Sequence, residues 1–140
     1  MIVLDTNVLS ELMGATPAAA VLNWISIRSA ANLYTTSITQ AEILNGVLAL
    51  PVGRRRRNIE AAAGAMFEEE FSGRILAFDS TAARPYAELV NERYSRGLPI
   101  SQFDAQIAAI ARAAGASVAT RNVSDFAHTG VRIINPWADA

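Results

Sequence analysis

The stretch MIVLDTN, residues 1–7, is a short apolar run that ends on an aspartate and then turns polar. When a buried strand ends on an aspartate, the carboxylate lies at the end of that strand and faces any group that binds there. Further acidic residues follow in helix and loop contexts at Glu42, Asp104 and Asp125. Carboxylates that gather in one place resist ionisation unless a positive charge lies among them. If folding brings these four acids together, the sequence predicts a site for a hard cation such as Mg²⁺.

Composition bounds the size and class of the protein. With 140 residues and 51% hydrophobic content, we expect a single domain over residues 1–140 with a sizeable core. No segment approaches the roughly 18 uninterrupted apolar residues of a membrane span, and the N-terminus lacks the basic start of a signal peptide. We therefore expect a cytoplasmic protein with no membrane partner.

The missing residue types exclude several chemistries. Cysteine is absent, which excludes disulfides, thiolate nucleophiles and zinc-thiolate sites. All 12 basic residues are arginine, and the lack of lysine excludes a Walker A phosphate loop and Schiff-base catalysis. The single histidine, His128, excludes a two-histidine nuclease site. Because the net charge is -1, a polyanionic substrate would have to be held by local arginines or by a bound metal.

Strand-like and helix-like segments alternate along the chain. Strands are predicted over residues 2–4, 32–36, 75–78, 117–120 and 131–134. Helices are predicted over residues 17–29, 37–49, 54–71, 81–96 and 101–115, with a polar turn before Pro17. Ser37 and Gln40 form a capping-box pattern at the start of the second helix. Strands separated by helices predict an α/β fold, in which helices cover both faces of a parallel sheet.

This topology sends the acidic residues to one edge, because ligands of parallel sheets gather at the carboxyl ends of the strands. Asp5 ends the first strand, and Glu42 lies little more than one turn into the helix that follows the second strand. Asp104 lies near the start of a helix that must run antiparallel to the strand after it. The start of that helix, and Asp104 with it, therefore lies at the carboxyl edge. Asn122 and Asp125 follow that strand. All five are expected at the carboxyl edge of the sheet.

Each of these residues also has an ordinary structural interpretation. The Asp5-Thr6-Asn7 turn could simply cap a helix, and Ser101 with Asp104 matches a capping box without any further role. Glu42 taken alone resembles a surface glutamate.

The loop residues and a further strand-end acid have similar alternatives. Asn122 and Asp125 both favour turns. Asp79 also ends a predicted strand, but Ser80 and Thr81 follow it and a helix begins there, so it is interpreted as a helix cap.

The chemistry open to such a cluster is metal-assisted hydrolysis of a phosphodiester, in which carboxylates hold the ion and the ion lowers the pKa of a bound water. Asp5 and Asp104 are the predicted direct metal ligands. Glu42 would bind through water or orient the nucleophile, and Asn122 or Asp125 would complete the shell. The predicted contacts to phosphate or water are Thr6, Asn7, Ser101, Thr120 and Arg121.

With these residues identified, the chain resembles the PIN-domain ribonucleases, specifically the VapC-like toxins of bacterial toxin-antitoxin pairs and most closely their FitB-like branch. The segments that carry the resemblance are IVLDTN (2–7), AEI (41–43), FDAQIAA (103–109), ATRN (119–122), DF (125–126) and NPW (135–137). They span the whole chain in family order.

The resemblance implies a three-layer α/β/α sandwich with a central parallel sheet of about five strands. It also implies an endoribonuclease dependent on Mg²⁺ or Mn²⁺, a homodimer, and a cognate antitoxin that blocks the site and binds DNA. The family acids fall on Asp5, Glu42 and Asp104. The fourth falls on Asn122, where some relatives have an aspartate, or on Asp125.

Two other functions remain open from the sequence. One is a catalytically weak binding module with the same fold, which acts together with a DNA-binding antitoxin partner. The other is a receiver-type phosphoryl-transfer domain with Asp79 as the acceptor, although the missing lysine and the single acid after the first strand argue against it.

Overall fold

The computed structural model describes residues 1–138, so residues 139 and 140 of the predicted domain lie outside the described range. The strands are β1 (Ile2–Leu4), β2 (Leu33–Thr36), β3 (Ile75–Leu76), β4 (Ser117–Ala119) and β5 (Ile133–Ile134). The α-helices are α1 (Thr6–Met13), α2 (Ala19–Ser26), α3 (Ser37–Leu48), α4 (Arg54–Ala65), α5 (Ser80–Ser95) and α6 (Gln102–Ala113). A π-helical turn, Met66–Glu70, continues α4, and short 3₁₀ turns occur at Ala30–Asn32 and Val123–Phe126. Within residues 1–138, every helix is too short or too polar to cross a bilayer.

All five strands form one parallel sheet in the order β3-β2-β1-β4-β5. The central strand is β1, in which Val3 is opposite Tyr34 of β2 on one side and Val118 of β4 on the other. Each parallel connection needs a crossover that carries helices over a face of the sheet. The predicted three-layer α/β/α sandwich is therefore confirmed.

Two hydrophobic cores lie on opposite faces of the sheet, because neighbouring residues of a strand point to opposite sides. Leu4 belongs to the core beneath α1 to α4. Val3 belongs to the core beneath α5 and α6. The helix α6 buries four alanines, Ala105, Ala108, Ala109 and Ala111, each at most 1% exposed. These small side chains allow α6 to pack closely on the sheet, with its first turn at the carboxyl edge.

The strand order creates a crevice between β1 and β4. The chain passes from β1 outward to β2 and β3, then crosses to β4 and β5 on the other side. Connections that leave neighbouring strands in opposite directions open a ligand-binding crevice at the carboxyl edge. The amide of Asp5 donates to the carbonyl of Ala119 at 2.9 Å, so Asp5 lies directly beside the end of β4.

The polar turn predicted after β1 is wrong, because residues 6–13 form α1. Asp5 has an extended backbone and caps this helix, while Val8 and Leu9 are fully buried on its inner face. The Asp-Thr-Asn triplet favours turns and caps equally. Here the apolar residues that follow it provide a buried face, which decides in favour of a helix.

The start of α3 also differs from the prediction by one residue. Thr36, the last residue of β2, is the N-cap, and its hydroxyl accepts a hydrogen bond from the amide of Thr39 at 3.1 Å. Ser37 is the first helical residue, so the predicted capping box of Ser37 with Gln40 does not form. Thr36 already has the extended backbone that a capping residue requires.

Several other elements are shorter than predicted. The helix α2 begins at Ala19 and ends at Ser26, and β4 ends one residue early, at Ala119. The strands β3 and β5 have two residues each. Both are edge strands, so each has a pairing partner on one side only.

Candidate functional site

Asp5 lies at the centre of the carboxyl edge and is 4% exposed. Its carboxylate accepts hydrogen bonds from the Thr6 amide at 2.8 Å, the Thr120 hydroxyl at 2.8 Å and the Asn7 side-chain amide at 3.3 Å. Asp5 therefore caps a helix and can also serve the site. Its Oδ1 caps α1, and its Oδ2 is oriented by Thr120 and Asn7.

Glu42 approaches Asp5 from the second turn of α3 and is half-buried. The hydroxyl of Thr6 lies 2.9 Å from Oε1 of Glu42 and 3.1 Å from Oγ1 of the fully buried Thr39. Because Thr6 directly follows Asp5, this hydrogen bond ties the start of α1 to α3. It also distinguishes Glu42 from an ordinary surface glutamate.

Asp104 is half-buried in the first turn of α6. Its amide donates to the hydroxyl of Ser101 at 3.1 Å, and this bond caps the helix. Ser101 is exposed and does not line the pocket that Asp104 lines. The predicted contact between Ser101 and the substrate therefore lacks structural support, because Ser101 lies outside this pocket and its hydroxyl bonds to the amide and the carboxyl of Asp104.

Thr120 and Arg121 follow β4 and have different environments. Thr120 is fully buried, so it orients Asp5 and cannot contact a substrate as predicted. Its oxygen also accepts from the Asn7 side chain at 3.2 Å and from the Asn122 amide at 3.1 Å. Arg121 is exposed and lines the pocket, and its amide donates to Oδ1 of Asn7 at 3.2 Å.

Asn122 and Asp125, the alternatives for the fourth site residue, also differ in position. Asn122 lines the pocket. Asp125 is exposed in the 3₁₀ turn and does not line the pocket, although its charge lies close enough to Asp104 to raise the pKa of that carboxyl. Asn122 is therefore better placed to contact a group bound in the pocket. Asp125 acts on the site at longer range, through the effect of its charge on Asp104.

These side chains enclose an open pocket of about 570 Å³. Seven of the ten predicted site residues line it: Asp5, Thr6, Asn7, Glu42, Asp104, Arg121 and Asn122. They come from four separate segments of the chain, so the convergence expected from the topology is present.

Three further residues line the pocket and were not predicted: Ser10, Glu11 and Trp137. Ser10 and Glu11 lie one helical turn after Thr6 and Asn7, where side chains share a helix face. Recognition of α1 would have revealed both. Trp137 packs against the first core, and the guanidinium of Arg121 lies 5.0 Å from its ring centroid.

Burial and mutual repulsion disfavour the charged forms of the three carboxyls. Burial is the largest cause and raises the pKa of Asp5 to about 6, from an ordinary value of 3.8. Hydrogen bonds from Thr120 and Thr6 oppose this shift, and the charges of Asp104 and Glu42 add to it. Burial also raises the pKa of both Glu42 and Asp104. The pocket therefore holds carboxylates that a cation would stabilise.

The donor set fits Mg²⁺ or Mn²⁺, since carboxylate and amide oxygens are the ligands that these hard ions prefer. Within residues 1–138, no three acidic or histidine side chains already close around one point as a metal-binding group. Mg²⁺ usually keeps several waters and takes only one or two protein carboxylates directly, which suits such an open arrangement.

We predict that Asp5 makes the stability of the metal-free protein depend on pH. The folded state holds the Asp5 proton up to about pH 6, whereas the unfolded state releases it near 3.8. Stability should therefore fall as pH rises from about 4 to above 6, and then level off. The total loss assigned to Asp5 is about 3 kcal/mol.

Urea unfolding of the wild type and of Asp5→Asn, both in a chelator at several pH values, measures this effect. Asp104 and Glu42 face Asp5 and titrate in both proteins, so most of their contribution cancels in the difference, which reports Asp5 and its coupling to them. The variant should gain relative stability between pH 4 and 7. A difference that does not change with pH would contradict the prediction.

Thr120→Val should destabilise the fold at pH 7 by about 1–3 kcal/mol, because it leaves Asp5 without its buried hydroxyl donor. Thr120→Ser keeps the hydroxyl and is the matched control, expected to lose less than about 1 kcal/mol. Equilibrium unfolding in urea measures both. Equal stability of Thr120→Val and wild type would show that the hydroxyl does not support the Asp5 carboxylate.

Comparisons with known proteins agree with this geometry. The sequence model of the PIN domain matches residues 2–131. The chain is 44% identical to VapC ribonuclease Y4jK of Sinorhizobium fredii over 140 residues, which cover both proteins completely. It is 34% identical to Toxin FitB of Neisseria gonorrhoeae over 139 residues, 99% of this chain and 100% of that protein. A solved structure of FitAB bound to an IR36 DNA fragment contains a chain with a TM-score of 0.92 and 34% identity, covering 98% of this chain and 96% of that one.

Proposed function

Because this chain belongs to the PIN-domain family, we propose that it is a metal-dependent endoribonuclease and the toxin of a toxin-antitoxin pair. One observation carries the proposal. The carboxyls of Asp5, Glu42 and Asp104 come from three separate elements, line one pocket and all have a raised pKa. The similarity to proteins named VapC ribonuclease and Toxin FitB supports RNA as the substrate.

Asp5 and Asp104 are the proposed direct ligands of the ion, and Asn122 is the proposed neutral oxygen donor beside them. When bound, Mg²⁺ or Mn²⁺ would supply positive charge at the scissile phosphate and a lower pKa for an attacking water. Asp5 is held for this role by three hydrogen bonds, so little rearrangement of its side chain is needed.

Glu42 is the proposed group that orients the attacking water. Its Oε1 accepts a hydrogen bond from Thr6, which leaves Oε2 free of that bond and able to accept from a water in the pocket. Burial and the charge of Asp104 raise the pKa of Glu42, and a raised pKa suits a carboxylate that receives a proton during hydrolysis.

The proposed phosphate contacts are Asn7, Thr6 and Arg121. All three line the pocket, and Arg121 provides a positive side chain there. In a protein with a net charge of -1, such local charge is needed to hold an RNA backbone. Thr120 is proposed to orient Asp5, and Ser101 to orient Asp104 at the start of α6.

We also propose a cognate antitoxin with a DNA-binding domain as partner, a homodimeric state, and a cytoplasmic site of action. The structure of FitAB bound to DNA supports the first of these. Co-expression with the neighbouring reading frame, followed by light scattering of the purified chain and complex, tests the partner and the oligomeric state.

The experiment that tests the enzymatic proposal is cleavage of single-stranded RNA by the purified protein, with matched DNA as the comparison. Cleavage of RNA should require Mg²⁺ or Mn²⁺ and stop when a chelator is added. Cleavage that persists in the chelator would overturn the metal role, and no cleavage of any RNA with either ion would overturn the nuclease.

A second function, a catalytically weak binding module acting with its antitoxin, is favoured by two observations. Within the described residues no three ligand side chains are already gathered for a metal, and the fourth position is an amide, Asn122, rather than a carboxylate. Direct titration with Mn²⁺ separates the two functions. Absence of both binding and cleavage would favour the binding module.

The structure argues against the receiver-type alternative. Asp79 caps α5, and its Oδ1 accepts from both the amide and the hydroxyl of Thr81, at 3.0 and 2.5 Å. It does not line the pocket that contains Asp5 and Asp104. A phosphoryl acceptor in a receiver domain would need those acids beside it to bind the metal.

A further inference from the structure

Arg93, near the end of α5, has a buried guanidinium that donates from all three of its nitrogens. The side chain is 5% exposed. Its Nε donates to the Leu98 carbonyl at 2.9 Å and its Nη2 to the Pro99 carbonyl at 3.0 Å. Its Nη1 faces three more carbonyls, those of Ser124, Asp125 and Ala127, at 3.1, 3.2 and 2.8 Å.

These acceptors are all main-chain oxygens, and they belong to two segments far apart in sequence. Residues 98–99 lie just before α6. Residues 124–127 belong to the 3₁₀ turn after β4 and its exit. A single side chain therefore joins the turn after β4 to the loop that enters α6.

No carboxylate lies within ion-pair distance of Arg93 within residues 1–138, where the ion pairs are Arg84 with Glu88, Arg96 with Glu92 and Arg112 with Glu88. At longer range the charge of Arg93 lowers the pKa of Asp104. Burying an unpaired cation is costly unless hydrogen bonds replace its hydration. Here backbone carbonyls replace the water around the guanidinium of Arg93. The same hydrogen bonds that stabilise its charge therefore fix the course of both loops.

Both loops carry residues of the proposed site. The segment 98–99 leads through Ser101 into the first turn of α6, where Asp104 lines the pocket. The turn 123–126 follows Asn122 directly, and Asn122 lines the same pocket. The relative position of these two site residues therefore depends on the bridge that joins their loops.

We propose that Arg93 is a positioning residue that sets the placement of Asn122 relative to Asp104 for metal binding. This inference rests on the proposed function, since it assigns Arg93 a role in that same site. The flat fork of the guanidinium reaches both loops at once. The single ammonium nitrogen of a lysine has three donors and could not reproduce this geometry.

The test uses Arg93→Lys, which keeps the charge, and Arg93→Met, which keeps much of the apolar stem. Arg96→Lys and Arg96→Met are the matched controls, because Arg96 is exposed, lies three residues away and pairs only with Glu92. Mn²⁺ affinity is measured by calorimetric titration well below the unfolding midpoint of each protein. Hydrogen exchange of amides in residues 98–104 and 122–127 is measured under the same conditions.

The Mn²⁺ dissociation constant should rise about 10-fold or more in the folded Arg93→Lys protein, the scale on which groups that orient metal ligands act. Exchange should accelerate in those two segments and stay unchanged around Asp5, while both Arg96 variants should match the wild type. A residue with only a general structural role would lower the unfolding temperature without changing the affinity of the folded protein.

Unchanged Mn²⁺ affinity in a folded Arg93 variant would overturn the positioning role. Failure of both Arg93 variants to fold would also overturn it, in favour of a role in global stability. Failure of the wild type itself to bind Mn²⁺ would instead reject the metal site proposed above, so the two failures can be told apart.

Discussion

Asp5→Asn is expected to reduce RNA cleavage by more than about 10²-fold, since changes at residues that only support metal ligands already cost 10- to 100-fold. The substitution keeps the size of the side chain and its ability to accept the Thr6 hydrogen bond. It removes the negative charge that the ion requires. Single-turnover cleavage of a labelled RNA in Mg²⁺ or Mn²⁺ measures the loss.

The matched control is Asp79→Asn. Asp79 undergoes the same chemical change and, like Asp5, caps a helix, but it does not line the pocket. Because asparagine caps helices as well as aspartate does, this variant should retain nearly full cleavage. Wild-type cleavage by Asp5→Asn, or an equal loss in Asp79→Asn, would contradict the assignment of Asp5.

Phe126→Ala is expected to lower the free energy of unfolding by about 3–5 kcal/mol, the usual cost of removing a buried aromatic ring. Phe126 is fully buried in the core beneath α5 and α6, although it lies in the 3₁₀ turn that follows Asn122. Its ring therefore anchors a site loop to the core. Urea unfolding at pH 7 measures the effect.

Val123→Ala tests the same turn without touching the core, because Val123 is 42% exposed. Its stability should stay within about 0.5 kcal/mol of the wild type. A loss below about 1 kcal/mol in Phe126→Ala would show that the turn is not anchored through this ring.

The sequence predicted the arrangement of the sheet because the relevant signals are local and repeated. Apolar strands alternate with helices. Asp5, Asp104 and Asn122 fall just after a strand or at a helix start, and Glu42 lies little more than one turn into the helix that follows β2. Parallel topology then directs all four to one edge. That inference needs only the direction of each element, which survives errors of a few residues in its bounds.

The helix α1 was missed because Asp5 has two roles at once. Its carboxylate caps the helix and lies in the pocket, and the polar triplet that serves both roles has the composition of a turn. With α1 missing, Ser10 and Glu11 could not be assigned to the site. The pattern of Val8, Leu9, Leu12 and Met13, which all contribute to the first core, was the available signal.

The roles of Thr120 and Arg93 could not be predicted for a different reason. Thr120 donates to a residue 115 positions away, and Arg93 donates to carbonyls 31 to 34 positions away. Residue type gives no indication of such partners, because they depend on how the loops fold over the sheet. No sequence pattern identifies an arginine that is buried without a carboxylate beside it.

The most direct test is thermal unfolding of the metal-free protein at pH 7.5 with and without Mn²⁺, beside Asp5→Asn under the same conditions. We predict that Mn²⁺ raises the unfolding temperature of the wild type by several degrees, since an ion at 100 times its dissociation constant adds about 2.7 kcal/mol. The variant should gain little from Mn²⁺. An equal response of the two proteins, or no response of the wild type, would contradict a site in which converging carboxylates require a divalent cation.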